Sequence, residues 1–122
     1  MILLDSSALI EILHDTEKGK NAVSLIGDEI ICIAAFSIYE VMFSIKERER
    51  NKIEIVKMLN VLDFDKRAAL KSIEIEKQLM REGRLIKKID IFISAICAVN
   101  DLRIITADED FRNVGVLEAI IL

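Results

Sequence analysis

The chain opens with Met1-Ile2-Leu3-Leu4-Asp5-Ser6-Ser7, and this stretch decides the fold. A continuous apolar run that ends at an acid and two small polar residues is typical of a strand buried on both faces, as in a parallel sheet. Asp5 is therefore predicted to follow the carboxyl end of the strand. In open α/β sheets, ligands bind at that edge.

The same arrangement recurs twice further along the chain. The apolar run Ile30–Ala34 precedes a helix that carries Glu40, and the run Leu102–Ile105 precedes Asp108. A fourth acid, Asp90, lies in the first turn of the predicted helix that leads into this last strand. Because a helix that returns to a parallel strand begins at the carboxyl edge of the sheet, the four acids are predicted to converge there.

The alternation of strands and helices predicts an α/β protein with a parallel sheet, and no linker divides residues 1–122 into more than one domain. Apolar residues at helical spacing predict a long helix from Ser37 to Glu49. Asp65 is predicted to cap a further helix that stops at Gly83. The apolar ending Val116–Leu122 predicts a last strand within the sheet.

Two shorter helices are predicted between the first two strands. Ser6 or Ser7 is expected to cap the first of them, and Asp15 or Thr16 the second. Short polar side chains suit these positions because they accept hydrogen bonds from the first free N–H groups of a helix.

Composition excludes several classes of protein. The chain has 122 residues, of which 52% are hydrophobic, and this is enough for one sizeable core. No apolar run approaches the roughly 18 residues of a membrane span, and no basic stretch precedes the first apolar run as in a signal peptide, so a cytoplasmic protein without a membrane partner is expected. Cys32 and Cys97 stand alone among apolar residues and His14 is the only histidine, which argues against a metal site or a catalytic triad built on these residue types.

The net charge of −4 argues against broad electrostatic binding to nucleic acid, although two basic clusters remain. In the first cluster, which runs from Lys46 to Lys52, acidic residues alternate with the cations, and a solvated surface is the better interpretation. The second cluster consists of Arg84, Lys87 and Lys88 and immediately precedes Asp90.

Each of the four acids also has a purely structural explanation. Ser37-x-x-Glu40 and Thr106-x-x-Glu109 both match a capping box, in which the acid only satisfies the start of its own helix. Asp90 in a first helical turn is favoured by the helix dipole, and Asp5 could accept hydrogen bonds from the turn that follows it. These explanations do not account for the convergence of all four acids at one edge.

A cluster of carboxylates requires a cation. Two carboxylates about 5 Å apart repel each other by roughly 3 kcal/mol at an effective dielectric constant near 20. A set of oxygen ligands without His or Cys selects a hard divalent ion, Mg²⁺ or Mn²⁺. Such ions activate water and bind phosphate oxygens during phosphodiester cleavage.

Four short motifs give the sequence a resemblance to the PIN domain family, and most closely to the small toxin ribonucleases of VapBC-type toxin–antitoxin pairs. The resemblance covers essentially the whole chain and implies a three-layer α/β/α fold with a central parallel sheet. The order and spacing of the motifs make it specific. They are Leu3-Leu4-Asp5-Ser6-Ser7-Ala8-Leu9-Ile10, Ser37-Ile38-Tyr39-Glu40-Val41, Ile89-Asp90-Ile91-Phe92-Ile93-Ser94-Ala95 and Ile105-Thr106-Ala107-Asp108-Glu109-Asp110-Phe111.

The resemblance implies an endoribonuclease that cleaves single-stranded RNA with Mg²⁺ or Mn²⁺, together with a cognate antitoxin protein and a homodimer. The implied catalytic metal ligands are Asp5, Glu40, Asp90 and Asp108. The residues expected to support them are Ser6, Thr106 and Asp110, of which Asp110 would act in the outer shell.

Two alternatives remain. A receiver-like phospho-acceptor domain is also a short α/β protein with acids at the ends of its strands. It would have paired acids after the first strand and a lysine after a late one, whereas Asp5 is followed by Ser6 and Ser7 and no lysine follows Ile105. The other alternative is a PIN-fold binding protein that has lost its activity.

Overall fold

The computed structural model describes all 122 residues, and its strands and helices alternate along the chain. The strands are β1 (Ile2–Leu4), β2 (Ile31–Ala34), β3 (Asn60–Leu62), β4 (Arg103–Thr106) and β5 (Ala119–Ile121). The α-helices are α1 (Ser6–Leu13), α2 (Glu17–Ile26), α3 (Ala35–Ser44), α4 (Arg50–Met58), α5 (Lys66–Glu82) and α6 (Lys88–Val99), and a 3₁₀ helix spans Glu109–Asn113. None of the helices is both long and apolar enough to cross a membrane.

All neighbouring strands are parallel, and their order in the sheet is β3-β2-β1-β4-β5. The strand β1 is central, and its residue Leu3 pairs with Cys32 on one side and Ile104 on the other. The strand order reverses direction between β1 and β4, which makes this point the topological switch of the sheet. Receiver-type domains have the order 2-1-3-4-5 instead. The topology therefore does not fit the receiver-like alternative.

Helices cover both faces of the sheet and form two separate cores. Leu3 faces the core formed with α5 and α6, whereas its neighbours Ile2 and Leu4 face the core formed with α1 to α4. All three side chains are fully buried. This burial explains why the first strand has no polar residue on either face. The predicted α/β/α arrangement with a central parallel sheet is confirmed.

Several predicted helix ends are also confirmed. The Thr16 hydroxyl caps α2 by accepting a hydrogen bond from the Gly19 N–H at 3.0 Å. Asp65 caps α5 through the Ala68 N–H at 2.9 Å, and Gly83 ends that helix in the left-handed conformation with φ 64°. Cys32 and Cys97 are buried and free, as expected of small apolar residues.

Three predicted boundaries were wrong. Asp5, and not Ser6 or Ser7, is the N-cap residue of α1, because the helix begins directly at the end of β1. The helix predicted to reach Glu49 ends at Ser44, since the backbone of Ile45 is extended and its side chain turns into the core. The last strand is shorter than residues 116–122, since it follows β4 only where Ala119–Ile121 pair with Ile104–Thr106.

Candidate active site

A pocket of about 350 Å³ opens at the carboxyl edge of the sheet, beside the point where the strand order reverses. The four acids predicted to converge all line it. Its lining residues are Asp5, Ser6, Ser7, Glu40, Lys87, Lys88, Ile89, Asp90 and Asp108. The topology therefore brings together side chains that lie more than 100 positions apart in the sequence.

Asp5 is held by hydroxyl groups from two different elements. Its Oδ2 atom accepts hydrogen bonds from Ser7 Oγ at 2.8 Å and from Thr106 Oγ1 at 2.9 Å. The side chain makes no capping hydrogen bond to the helix that it precedes, so the structural explanation for this acid was wrong. Only 5% of Asp5 is exposed. This carboxylate is therefore fixed in orientation before any ligand arrives.

Asp90 is the acid whose buried carboxylate lacks a hydrogen-bond partner for one of its oxygens. It lies in the first turn of α6, only 9% of the residue is exposed, and its buried Oδ2 atom has no hydrogen-bond partner. Burial is the main cause that raises the pKa of Asp90 to about 7, and the carboxylates of Asp5, Asp108 and Glu40 raise it further against the opposing charge of Lys87. The helix dipole explains an acid in this turn, but it does not explain a buried oxygen without a partner.

Glu40 lies on α3 and reaches the same pocket from the opposite side of the sheet. The capping-box interpretation was wrong because Ala34 is the N-cap of this helix and Ser37 lies inside it, where its buried Oγ atom has no partner. Burial and the nearby Asp5 raise the pKa of Glu40, whereas the Ser6 hydroxyl and the charge of Lys87 lower it. Glu40 is therefore electrostatically part of the acidic cluster.

The loop after β4 carries Asp108, which lines the pocket, and Asp110, which lies close to it. Asp108 caps the 3₁₀ helix through the Asp110 N–H at 2.9 Å, and its own N–H donates to Thr106 Oγ1 at 3.0 Å. The second predicted capping box, between Thr106 and Glu109, was therefore also wrong. Carboxylate oxygens of Asp90, Asp108 and Asp110 lie within 4.8 Å of one another.

The three residues of the basic cluster that precedes Asp90 lie in different environments. Lys87 lines the pocket as the N-cap residue of α6, and its charge acts on both Asp90 and Glu40. Lys88 also lines the pocket but forms an ion pair with Glu76. Arg84 does not line the pocket, because its guanidinium bonds to the side chain of Asn113 at 3.1 Å.

Ser7 is the site residue that the sequence did not single out. Its hydroxyl donates to Asp5 and accepts the Ala107 N–H at 2.9 Å, so it joins the ends of β1 and β4. The sequence shows that Ser7 lies two positions after Asp5, but this spacing fits a residue that only begins the first helix equally well. The resemblance to the PIN domain family implied Asp110 as a supporting acid, but no local pattern indicated that it lies beside Asp90, which is twenty positions away in the sequence.

The residues present fit a hard divalent cation. The buried and unpartnered Oδ2 atom of Asp90 requires a positive charge or a donor, and the neighbouring ligand atoms are all carboxylate or hydroxyl oxygens. Mg²⁺ and Mn²⁺ prefer such ligands. The only nearby lysine without a paired acid is Lys87, and a single ammonium group does not balance four carboxylates.

The fold and the pocket define a class: a three-layer α/β/α protein with an acidic cluster at the switch point of a parallel sheet. The sequence pattern of the PIN domain matches residues 2–117, and the chain therefore belongs to the PIN domain family. No curated protein sequence is a match for this chain.

Solved structures of low sequence identity share the fold. A chain of VapBC2 from Rickettsia felis, bound to a DNA fragment from its promoter, superimposes with a TM-score of 0.82 at 19% identity, over 98% of each chain. A chain of the toxin–antitoxin system VapBC-5 from Mycobacterium tuberculosis gives a TM-score of 0.75 at 22% identity, over 99% of this chain and 98% of that one. PAE2754 from Pyrobaculum aerophilum gives a TM-score of 0.63 at 14% identity, over 97% of this chain and 87% of that one.

Proposed function

We propose that the protein is a metal-dependent endoribonuclease that cleaves single-stranded RNA, and that it acts as the toxin of a toxin–antitoxin pair. The observation that carries the proposal is the buried, unpartnered Oδ2 atom of Asp90 within a pocket that also holds Asp5, Glu40 and Asp108. A fold can persist without such a cluster, and the repulsion within it makes the metal-free protein less stable. Membership of the PIN domain family supports a nuclease.

The proposed roles follow from burial and exposure. Asp5, Asp90 and Asp108 hold the metal, directly or through water, because all three line the pocket at the carboxyl edge of the sheet. The metal, when bound, supplies a Lewis acid that stabilises negative charge on a phosphate and lowers the pKa of a water molecule. Asp110 is exposed, and its carboxylate is close enough to those of Asp90 and Asp108 to contact the same metal ion.

The remaining residues of the pocket position these groups or handle protons. Glu40 is the most exposed of the four acids, and its raised pKa suits a group that orients the attacking water and accepts its proton. The hydroxyls of Ser7 and Thr106 fix Asp5, and Lys87 is placed to attract a phosphate of the RNA backbone. The Ser6 hydroxyl favours the charged form of Glu40.

The first prediction concerns activity. The purified chain is expected to cleave a mixed pool of single-stranded RNA with Mn²⁺ or Mg²⁺ and to stop when EDTA is added, since the acids then lose the cation that holds the phosphate. Gel analysis of end-labelled RNA measures this. RNA that binds and stays intact with Mn²⁺, after removal of any co-purified protein, would instead support the inactive PIN-fold alternative.

We propose a separate antitoxin protein as the partner that controls this activity. The support is that similar folds, at low identity, occur in solved VapBC toxin–antitoxin complexes. The neighbouring reading frame provides the test: its product, expressed with this chain, should form a stable complex and suppress RNA cleavage. A complex that cleaves as fast as the free chain would contradict the toxin role and leave the nuclease proposal intact.

The second prediction is that the chain forms a homodimer through helix faces away from the acidic edge. The outer face of α5 exposes Leu70, Ile73 and Met80 to solvent by half or more, and such a row of apolar side chains is typical of a surface that pairs. Light scattering at micromolar concentration should give about twice the mass of one 13.8 kDa chain. A monomer mass would refute the dimer.

A further inference from the structure

The helix α3 carries two exposed aromatic rings directly beside Glu40. Tyr39 is 72% exposed and Phe43 is 81% exposed, and their rings stack with centroids 6.0 Å apart and an interplanar angle of 27°. They lie one helical turn apart, so both rings project from the same side of the helix. The core does not require either ring, since neither belongs to the buried clusters on the two faces of the sheet.

Free cations follow these rings at the end of the same helix. Lys46, Arg48 and Arg50 are exposed and form no ion pair. Two acids, Glu47 and Glu49, alternate with these cations, and Glu49 is already paired with Lys52 and accepts the Lys46 N–H at 3.1 Å. In a chain with a net charge of −4, this loop is a local excess of positive charge.

The order of these groups along α3 matches a nucleic-acid strand. Tyr39 directly precedes Glu40 in the sequence, Phe43 lies one helical turn after Tyr39, and Lys46 comes two residues after the helix ends at Ser44. An acid of the pocket, the stacked rings and the cationic loop therefore follow one another within one segment of the chain. A single strand offers the complementary groups, because it has a phosphate to be cleaved, unpaired bases and further phosphates.

We propose that the surface formed by Tyr39, Phe43 and the loop from Lys46 to Arg50 binds the RNA segment next to the cleaved phosphodiester. The two rings stack on unpaired bases, and the cations hold the backbone beyond them. This inference rests on the proposed ribonuclease function and names how that site holds its substrate. Tyr39 and Phe43 are positioning residues here, since the reacting atoms lie at the acids.

The surroundings of the rings favour RNA over a protein partner. The exposed residues next to the rings on α3 are Ala35, Glu40 and Ser44, and the exposed cations Lys46, Arg48 and Arg50 follow the helix. A partner helix that packs by an apolar face makes no use of these cations, whereas an RNA strand offers phosphates to the cations and the faces of its bases to the rings. Since every base has such a face, the rings should add affinity without selecting a particular base.

The composition of the chain provides a direct readout. Tyr39 is the only tyrosine and there is no tryptophan, so the intrinsic fluorescence of the protein reports on this ring alone. The full chain is titrated in Ca²⁺ with an oligouridine of about 12 nucleotides, and separately with an abasic ribose-phosphate strand of the same length. We expect the oligouridine to quench the fluorescence and the abasic strand to bind without quenching it.

Variants test the energetic contribution of the rings. Tyr39→Ala and Phe43→Ala should each weaken oligouridine binding by about tenfold and raise KM with little change in kcat, because the lost stacking is the same before and during cleavage. The matched control is Met58→Ala, which removes an 84% exposed apolar side chain from α4 and should change neither quantity.

Either of two results would overturn the inference: equal quenching by the abasic strand, or ring variants that bind RNA as tightly as the control. If such variants also differ from wild type in oligomeric mass, the rings belong to a protein interface instead. RNA that quenches Tyr39 and is never cleaved with Mn²⁺ would refute the ribonuclease proposal alone and leave the binding surface standing.

Discussion

Asp90→Asn is expected to abolish RNA cleavage and, at the same time, to make the metal-free protein more stable. Loss of cleavage by about 100-fold or more follows if this carboxylate holds the cation at the phosphate. The gain in stability follows from the charge that the substitution removes. These two effects oppose each other in sign, and a residue with only a structural role would not produce both.

The direction of the stability change follows from the pKa of Asp90. It is raised to about 7 in the folded protein by burial and by the neighbouring carboxylates, whereas an unfolded aspartate has a pKa of about 3.9. The folded state therefore binds more protons between these values, and the free energy of unfolding falls as pH rises from about 4 to 7. Above pH 7 the full cost is present, and the uncharged amide does not incur it.

The expected gain in the free energy of unfolding is about 1–3 kcal/mol above pH 7. One pKa unit corresponds to about 1.36 kcal/mol, and the gain is smaller than the whole difference between the folded and unfolded pKa values would give, because the pocket opens to water. It corresponds to a rise in melting temperature of about 4 °C or more for a chain of this size. Thermal denaturation in EDTA at pH 5 and pH 8 measures it, and the difference between variant and wild type should be larger at pH 8.

Metal should reverse the order of stability. Mn²⁺ stabilises the folded wild type in proportion to RT ln(1 + [L]/Kd), whereas the variant with one ligand fewer should gain less. Asp63→Asn is the matched control, because Asp63 is an exposed acid outside the pocket and should behave as wild type in every condition. A variant that melts below wild type in EDTA, with no effect of Mn²⁺ on either protein, would contradict the shared metal site.

Gly19→Ala is expected to destabilise the fold by about 2–3 kcal/mol, near the upper end of typical overpacking costs. A Cβ atom at Gly19 would lie 2.2 Å from the carbonyl oxygen of Glu11 and 2.8 Å from the backbone nitrogen of Ile12. These atoms belong to the backbone of α1 and cannot turn aside as a flexible side chain would. The helices α1 and α2 must therefore move apart.

The sign of this effect is informative because alanine is intrinsically the better helix residue, by about 1 kcal/mol. Urea denaturation measures the loss. The matched control is Gly115→Ala, where a Cβ atom meets nothing within 4 Å and stability should be unchanged. A Gly19→Ala variant as stable as the control would show that the two helices are not in backbone contact. Since α1 starts immediately after Asp5, we also expect weaker cleavage from any folded fraction.

Local patterns predicted those elements whose residues experience one environment along their whole length. The strand β1 was recognisable because Ile2, Leu3 and Leu4 are buried on alternate faces and none tolerates a polar side chain. The caps at Thr16 and Asp65 were recognisable because a cap bonds to an amide three residues away. Both signals are local in the sequence, so no knowledge of the fold is needed to interpret them.

The same local patterns misled where a distant contact was stronger. Ser37-x-x-Glu40 has the sequence of a capping box, but the helix starts at Ala35 because β2 runs directly into it and Ser37 is carried into the interior. The helical periodicity continues past Ser44, but burial of Ile45 in an extended conformation ends the helix there. A spacing rule cannot register these competing tertiary contacts.

The sequence by itself determined the class of the fold, the convergence of Asp5, Glu40, Asp90 and Asp108 at one edge, and the resemblance to the PIN domain family. These follow because continuous apolar runs specify buried parallel strands, and the ends of parallel strands share an edge. Only the tertiary structure decided which oxygens are already satisfied. It shows that the hydroxyls of Ser7 and Thr106 donate hydrogen bonds to Asp5, and that Asp90 retains a buried oxygen without a partner. Such pairings depend on the order of strands in the sheet and on distances of a few ångströms between residues far apart in the chain, and neither is encoded in a local pattern.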